Sequence, residues 1–97
     1  MNLFDYEIPK IGEEFKTLFD NKNIKITRIV SSDKLDKKEY IQDEDEFVFV
    51  LEGSAELKID GYTKHVNKGE YVYIPAKIPH EVLKATNGTL WLAIHFS

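Results

Sequence analysis

Cysteine does not occur in the 97-residue sequence. Its absence excludes a disulfide framework, a thiolate metal centre and a cysteine nucleophile, and leaves His, carboxylate, amide and phenol groups to hold any metal. It also agrees with a reducing compartment. The opening residues, MNLFDYEIPK, have neither a basic start nor a continuous apolar stretch, and no later segment is long enough to cross a bilayer. A cytoplasmic protein without a membrane partner is expected. A positive balance is missing as well: the net charge is −4, with no basic stripe and no arginine cluster. A nucleic-acid backbone finds no electrostatic footprint here, so no nucleic-acid partner is expected. The chain shows no linker, internal repeat or low-complexity segment, and its length has room for one domain around one core.

Most of the chain reads as short strands. IKITRIV (24–30), EFVFVLE (46–52), SAELKID (54–60), YTKHV (62–66), EYVYIP (70–75), HEVLK (80–84) and TLWLAIHF (89–96) are rich in β-branched and aromatic residues. Gly53, Asp60-Gly61, Asn67-Lys68-Gly69 and Asn87-Gly88 punctuate them as hairpin turns do. The pattern implies an all-β fold, an antiparallel sandwich or barrel. The charged stretch SSDKLDKKE (31–39) reads as a loop. Only residues 11–19 break the pattern: Ile11, Phe15, Leu18 and Phe19 stand at helical spacing behind Glu13 and Glu14, which suit the positive end of a helix dipole. A short amphipathic helix ending in the turn-forming DNKN (20–23) is therefore expected within an N-terminal arm, residues 1–23.

Alternation assigns side chains to faces. Glu46, Val48 and Val50 share one face of their strand, and Phe47, Phe49 and Leu51 share the other. In the last strand Leu90, Leu92, Ile94 and Phe96 oppose Trp91, Ala93 and His95. Both faces are apolar, and one short helix cannot cover the outer one. A homodimer through Phe47, Phe49, Leu90, Leu92, Ile94 and Phe96 is expected on that ground.

Two spaced motifs stand out. Glu46 is followed by six residues and Gly53; Gly69 is followed by five residues, Pro75, four residues and His80. In this order they resemble the two motifs of the cupin superfamily, over roughly residues 24–96. The chain is most similar to small single-domain, RmlC-like members. The resemblance implies a double-stranded β-helix, the jelly-roll barrel, over residues 24–97. It also implies a metal site drawn from a His-x-His pair, the glutamate and the second-motif histidine. Glu46 and His80 match as they stand, whereas Tyr40 and Gln42 occupy the His-x-His positions. A neutral amide is a weak ligand, and a phenol binds metal well only after losing a proton of ordinary pKa about 10. Phosphomannose isomerases, also cupins, do use a glutamine. Gln42, Glu46 and His80 would therefore form an open, oxygen-rich site for Zn²⁺, Mn²⁺, Fe²⁺ or Ni²⁺, held weakly.

Asp43, Glu44 and Asp45 read as a solvated turn. Glu46, on the barrel-lining face, needs an interior partner, since an unpaired buried carboxylate is costly. A cation, charged His80 or the Tyr40 hydroxyl would serve. His95 joins Glu46 and His80 if the Trp91 face lines the barrel, and packs in the core otherwise. His65 reads as a surface residue, and Tyr71 and Tyr73 as packing residues. Three functions are consistent with this set. The first is a metal-binding cupin with a pocket for a small polar ligand, in which Tyr40, Glu46 or His95 moves a proton if it is an enzyme. The second is a metal-free epimerase or isomerase using Tyr40 and His80 as acid and base. The third is a non-catalytic binding or sensing module.

Overall fold

The computed structural model describes residues 1–36 and 38–97. Eight strands form: β1 (Glu13–Asp20), β2 (Ile24–Ser31), β3 (Asp45–Glu52), β4 (Ser54–Ile59), β5 (Tyr62–Asn67), β6 (Tyr71–Ile74), β7 (His80–Ala85) and β8 (Thr89–Phe96). They build a five-stranded sheet of order β1-β2-β8-β3-β6 and a three-stranded sheet of order β5-β4-β7. All named pairs are antiparallel. The inner faces of the two sheets enclose one core, with Val48, Val50, Leu57, Val66, Ile74 and Trp91 among its buried members. The seven strands expected from residue 24 onward all form, within about two residues at their ends. The loop reading holds for residues 32–36, 38 and 39, and Lys37 lies outside the described residues.

The N-terminal helix does not form; the described residues contain no helix, and so none able to cross a membrane. Residues 13–20 are the edge strand β1 instead. Glu13, Phe15 and Thr17 also alternate with Glu14 and Lys16, and a helix of under three turns has little stability of its own. Pairing with β2 decides the outcome. The turn is held by Asn21, whose side-chain oxygen accepts from the backbone N–H of Asn23 (2.9 Å) and Ile24 (3.0 Å), closing a tight hairpin. A bulge between Thr17 and Phe19 shifts the register, so Phe15 and Thr17 face inward while Phe19 stands opposite Ile26 on the outer face.

Outer cover comes from the extended arm ahead of β1. The Tyr6 hydroxyl donates to the Gly88 carbonyl (2.9 Å), and the Arg28 guanidinium donates to the Asp5 carbonyl (3.1 Å) beneath the Tyr6 ring. Val30 and Leu90, cross-strand neighbours on that face, are fully buried.

Two glycines make corners. Asp60 and Gly61 both have positive φ (50° and 82°), the two-residue turn that right-twisted hairpins prefer between β4 and β5. Gly53 alone joins β3 in one sheet to β4 in the other, at φ 85°. A Cβ there would stand 2.6 Å from the Thr89 hydroxyl oxygen, 2.8 Å from that of Thr86 and 2.9 Å from the Thr89 Cα. Those two hydroxyls are 2.8 Å apart, and Thr86 accepts from the Ser54 N–H (3.1 Å), so neither can move aside freely. Gly53→Ala is expected to cost about 2–3 kcal/mol, the backbone penalty plus the clash. Gly61→Ala, with open space around it, should cost only about 1 kcal/mol. Urea midpoints of the two variants check the difference.

Candidate functional site

Strand register carries the polar groups to one place. In β3 the inward side chains are Glu46, Val48 and Val50; in β8 they are Trp91, Ala93 and His95. Glu46 pairs directly with His95 across this ladder, with Ile74 on the far side of Glu46 and Lys25 on the far side of His95. His95 is thereby placed on the pocket side. His80 opens β7 in the opposite sheet and faces the same point, delivered by Pro75 through Pro79. Tyr40 makes an isolated bridge with His80: its N–H donates to the His80 carbonyl (2.8 Å) and its carbonyl accepts the His80 N–H (3.0 Å). The two rings lie face to face, centroids 6.1 Å apart at 28°.

One oxygen gathers the cluster. Oε1 of Glu46 accepts a hydrogen bond from Nε2 of Gln42 (2.7 Å), lies 3.3 Å from Nε2 of His95 and 3.7 Å from Nε2 of His80. Glu46 is 6 % exposed. Burial alone pushes its carboxyl up, but the hydrogen bond and charge of His95, the Gln42 amide and the charge of His80 outweigh that and hold it below the usual carboxylate range. The hydrogen bond that His95 donates to Glu46 raises His95 in turn; burial opposes this, the charges of Glu46 and Glu44 assist, and Lys25 opposes. Nδ1 of His95 is buried without a hydrogen-bond partner. Nδ1 of His80 lies 3.0 Å from the Ile78 carbonyl, which only accepts, so Nδ1 carries a proton; in the charged ring Nε2–H points toward Glu46, and in the neutral ring the Nε2 lone pair does.

These groups line a cavity of about 260 Å³ whose other walls include Phe15, Ile29, Val48, Leu57, Val82 and Trp91. Tyr40, Gln42, Glu46, His80 and His95, singled out in the sequence, all reach it. Tyr71 and Tyr73 do not; they stand exposed on the outer face of β6, and His65 is exposed on β5. A further polar group was hidden by the helical reading of residues 11–19. Glu13, on the inner face of β1, reaches the same cavity. Its carboxylate accepts from the fully buried Ser31 hydroxyl, which itself accepts from the Trp91 indole N–H (2.9 Å). Burial raises the Glu13 carboxyl, the Ser31 hydrogen bond opposes, and Asp36 adds to the rise. Tyr40 is raised by burial and by the charges of Glu13 and Asp36, so its hydroxyl keeps its proton. Alternating apolar residues with a lone Glu in a strand reading was the available signal for Glu13.

As donor types, the His, carboxylate and amide groups fit a divalent metal. Their present arrangement does not, because Glu46 is engaged by Gln42 and His95. Among the described residues no group of three or more His, Cys, Asp or Glu side chains is disposed to hold an ion.

The cupin domain family model matches residues 35–95. No curated protein matches the chain significantly. Among solved structures, a Ralstonia eutropha JMP134 protein provisionally assigned as a mannose-6-phosphate isomerase is 30 % identical. The match covers 100 % of this chain and 96 % of that one, with a TM-score of 0.87. An RmlC-like cupin from Shewanella frigidimarina NCIMB 400 is 18 % identical over 95 % of this chain and 84 % of its own, at a TM-score of 0.80. The Fe(II) form of HppE is 20 % identical over 88 % of this chain and 50 % of its own, at 0.78; both likenesses are of fold. With two antiparallel sheets, both motifs and a family match over residues 35–95, the chain belongs to the cupins.

Proposed function

We propose that this cupin binds a small polar ligand in its cavity, with the Glu46 cluster as the recognition point. The observation that carries this reading is the convergence of Gln42, His80 and His95 on one buried oxygen of Glu46 in the wall of the cavity. Sites of that composition orient a ligand by a few polar contacts and hold it by burial. The cavity also selects by charge. Two carboxylates, Glu13 and Glu46, face it, while among the described residues its lining contains one lysine, Lys25, and no arginine. A neutral or cationic ligand suits that balance better than a phosphorylated one, and the provisional assignment of the Ralstonia relative does not carry over on this geometry. Proton transfer is within reach of the same groups: the Nε2 lone pair of His80 can take a proton from a bound hydroxyl, and ionised Glu46 then stabilises the imidazolium. The stacked Tyr40 and His80 rings lie on one side of the pocket rather than across a ligand, which disfavours them as an opposed acid/base pair. Thermal melting with mannose and with mannose 6-phosphate tests the charge preference. The neutral sugar is expected to shift the midpoint at least as much as the phosphate, and the shift is expected to vanish in Glu46→Gln; a response to the phosphate alone would overturn the reading.

A divalent metal is the second reading, favoured by the His80 ring, whose Nδ1 proton is spent on the Ile78 carbonyl as in many metal-binding histidines. Gln42, Glu46 and His80 would hold the ion once the Gln42 amide turns its oxygen inward, and the ion would supply Lewis acidity toward a ligand oxygen. A ligand bound only to the folded state stabilises it by about 2.7 kcal/mol at 100 times its Kd. On this reading Zn²⁺, Mn²⁺, Fe²⁺ or Ni²⁺ raises the wild-type midpoint but not that of His80→Ala or Glu46→Gln. Equal responses in all three proteins would remove the metal.

The Glu46–His95 pair makes stability depend on pH. His95 is raised from 6.5, so its contribution is complete below that value and is lost as pH rises through the folded pKa. Glu46 is lowered from 4.5, so its contribution is present above that value and is lost as pH falls through the folded pKa. The pair therefore stabilises most between 4.5 and 6.5. Urea midpoints measured across that window and on both sides should decline toward alkaline pH in the wild type, and His95→Gln should flatten that decline.

A further inference from the structure

The Glu46 cluster occupies one end of the cavity, and the other end has a carboxylate that the protein leaves without a counter-charge. Cross-strand pairing sets Glu13 opposite Ser31 on the inner face of β1 and β2, and the next inward row is Phe15, Ile29 and Trp91. Hydrogen bonds run one way along this corner, from the Trp91 indole N–H to the Ser31 hydroxyl and from that hydroxyl to Oε2 of Glu13. Trp91 and Ser31 are buried, so the acceptor at the end of the chain is held in place. Ser31 is the only hydrogen-bond partner of the Glu13 carboxylate among the described residues, and no lysine, arginine or histidine among them forms an ion pair with it. The surroundings add negative charge instead: Asp36 lies near enough to raise both Glu13 and Tyr40. Lys25 stands at the far end of β2, paired with His95, and Lys38 places its Nζ over the Tyr40 ring, 5.4 Å from the centroid.

We propose, on the reading that the cavity binds a ligand, that this end of it is a subsite for a small organic cation, with a primary ammonium set against Glu13 and an apolar body against Phe15, Tyr40 and Trp91. A half-buried carboxylate with one neutral donor lacks the charge that would offset its desolvation, and an ammonium brings both charge and N–H donors to the free oxygen. A hydroxyl brings only a donor. The aromatic walls favour the same ligand, because ring faces attract a cation and cover its hydrocarbon. Lys38 on Tyr40 shows that an ammonium is accommodated against one of these rings. A divalent metal suits this end poorly, since it needs several oxygen or nitrogen ligands at once and no group of three or more His, Cys, Asp or Glu among the described residues is disposed to supply them.

Trp91 reports on binding, because it lines the cavity and is the single tryptophan of the chain. Its emission is followed while benzylamine, which is protonated at neutral pH, benzyl alcohol and benzoate are each titrated into the full chain. The three share one ring and differ in charge. The ammonium is expected to bind about 10-fold or more tighter than the alcohol, and the benzoate to bind weakest. Glu13→Gln keeps the size of the side chain and an acceptor for Ser31, so it should retain a cooperative melt while the preference for the ammonium over the alcohol disappears. Glu7→Gln removes the same charge from the exposed arm and should leave that preference intact. Equal affinity of the wild type for benzylammonium and benzyl alcohol overturns the inference whatever the variants do. So does a folded Glu13→Gln that keeps the preference, or a Glu7→Gln that loses it. A cavity that responds to mannose in the melting test but to no benzylammonium loses this subsite and keeps its role as a ligand pocket; one that responds to neither loses both.

Discussion

A carboxylate buried on the inner face of a sheet is the constraint around which this molecule is arranged. Glu46 occupies a position whose strand neighbours, Val48 and Val50, belong to the core, and an ionised group there must find donors or lose its charge. Each group around it arrives by a different route. His95 comes by direct cross-strand pairing from β8, His80 from the opposite sheet, and Gln42 from the segment that leads into β3. The site therefore exists only if the β3–β8 register is kept and the two sheets close. A slip of one residue would turn His95 outward and leave Glu46 facing apolar groups. Fold and site are in this sense one requirement.

The close approach of the sheets has its own condition at Gly53. Between Glu52 and Ser54 the chain leaves one sheet for the other in a single residue, and the Thr86 and Thr89 hydroxyls fill the space where a side chain would stand. The fixed interval from Glu46 to Gly53 thus measures the distance along β3 from the polar cluster to the corner. Spacing of this kind appears in the sequence as a motif because both of its ends are geometrically exacting, while the six residues between need only be apolar and extended.

Strand content, hairpin turns and the inward face of Glu46 were legible because period-two alternation and turn chemistry are local. The face of His95 was not, since both sides of TLWLAIHF are apolar and only the pairing partner decides between them. Residues 11–19 were misread for a related reason. Phe15, Leu18 and Phe19 satisfy a helical stripe, and a bulge after Thr17 is what lets the same apolar residues serve a strand with Phe15 inside and Phe19 outside. No periodicity argument anticipates a bulge. The helical reading also conceals Glu13, which is a half-buried group facing the cavity.

Glu13 gives the pocket a second polar end of separate origin. Gln42, Glu46 and His80 lie within the segment that matches the cupin domain, residues 35–95, whereas Glu13 and Ser31 lie before it. Trp91 links the two, its indole N–H ordering the Ser31 hydroxyl that holds Glu13. Burial raises the Glu13 carboxyl, whereas the groups around Glu46 lower that one, so the two carboxyl groups of one cavity are shifted in opposite directions by their surroundings.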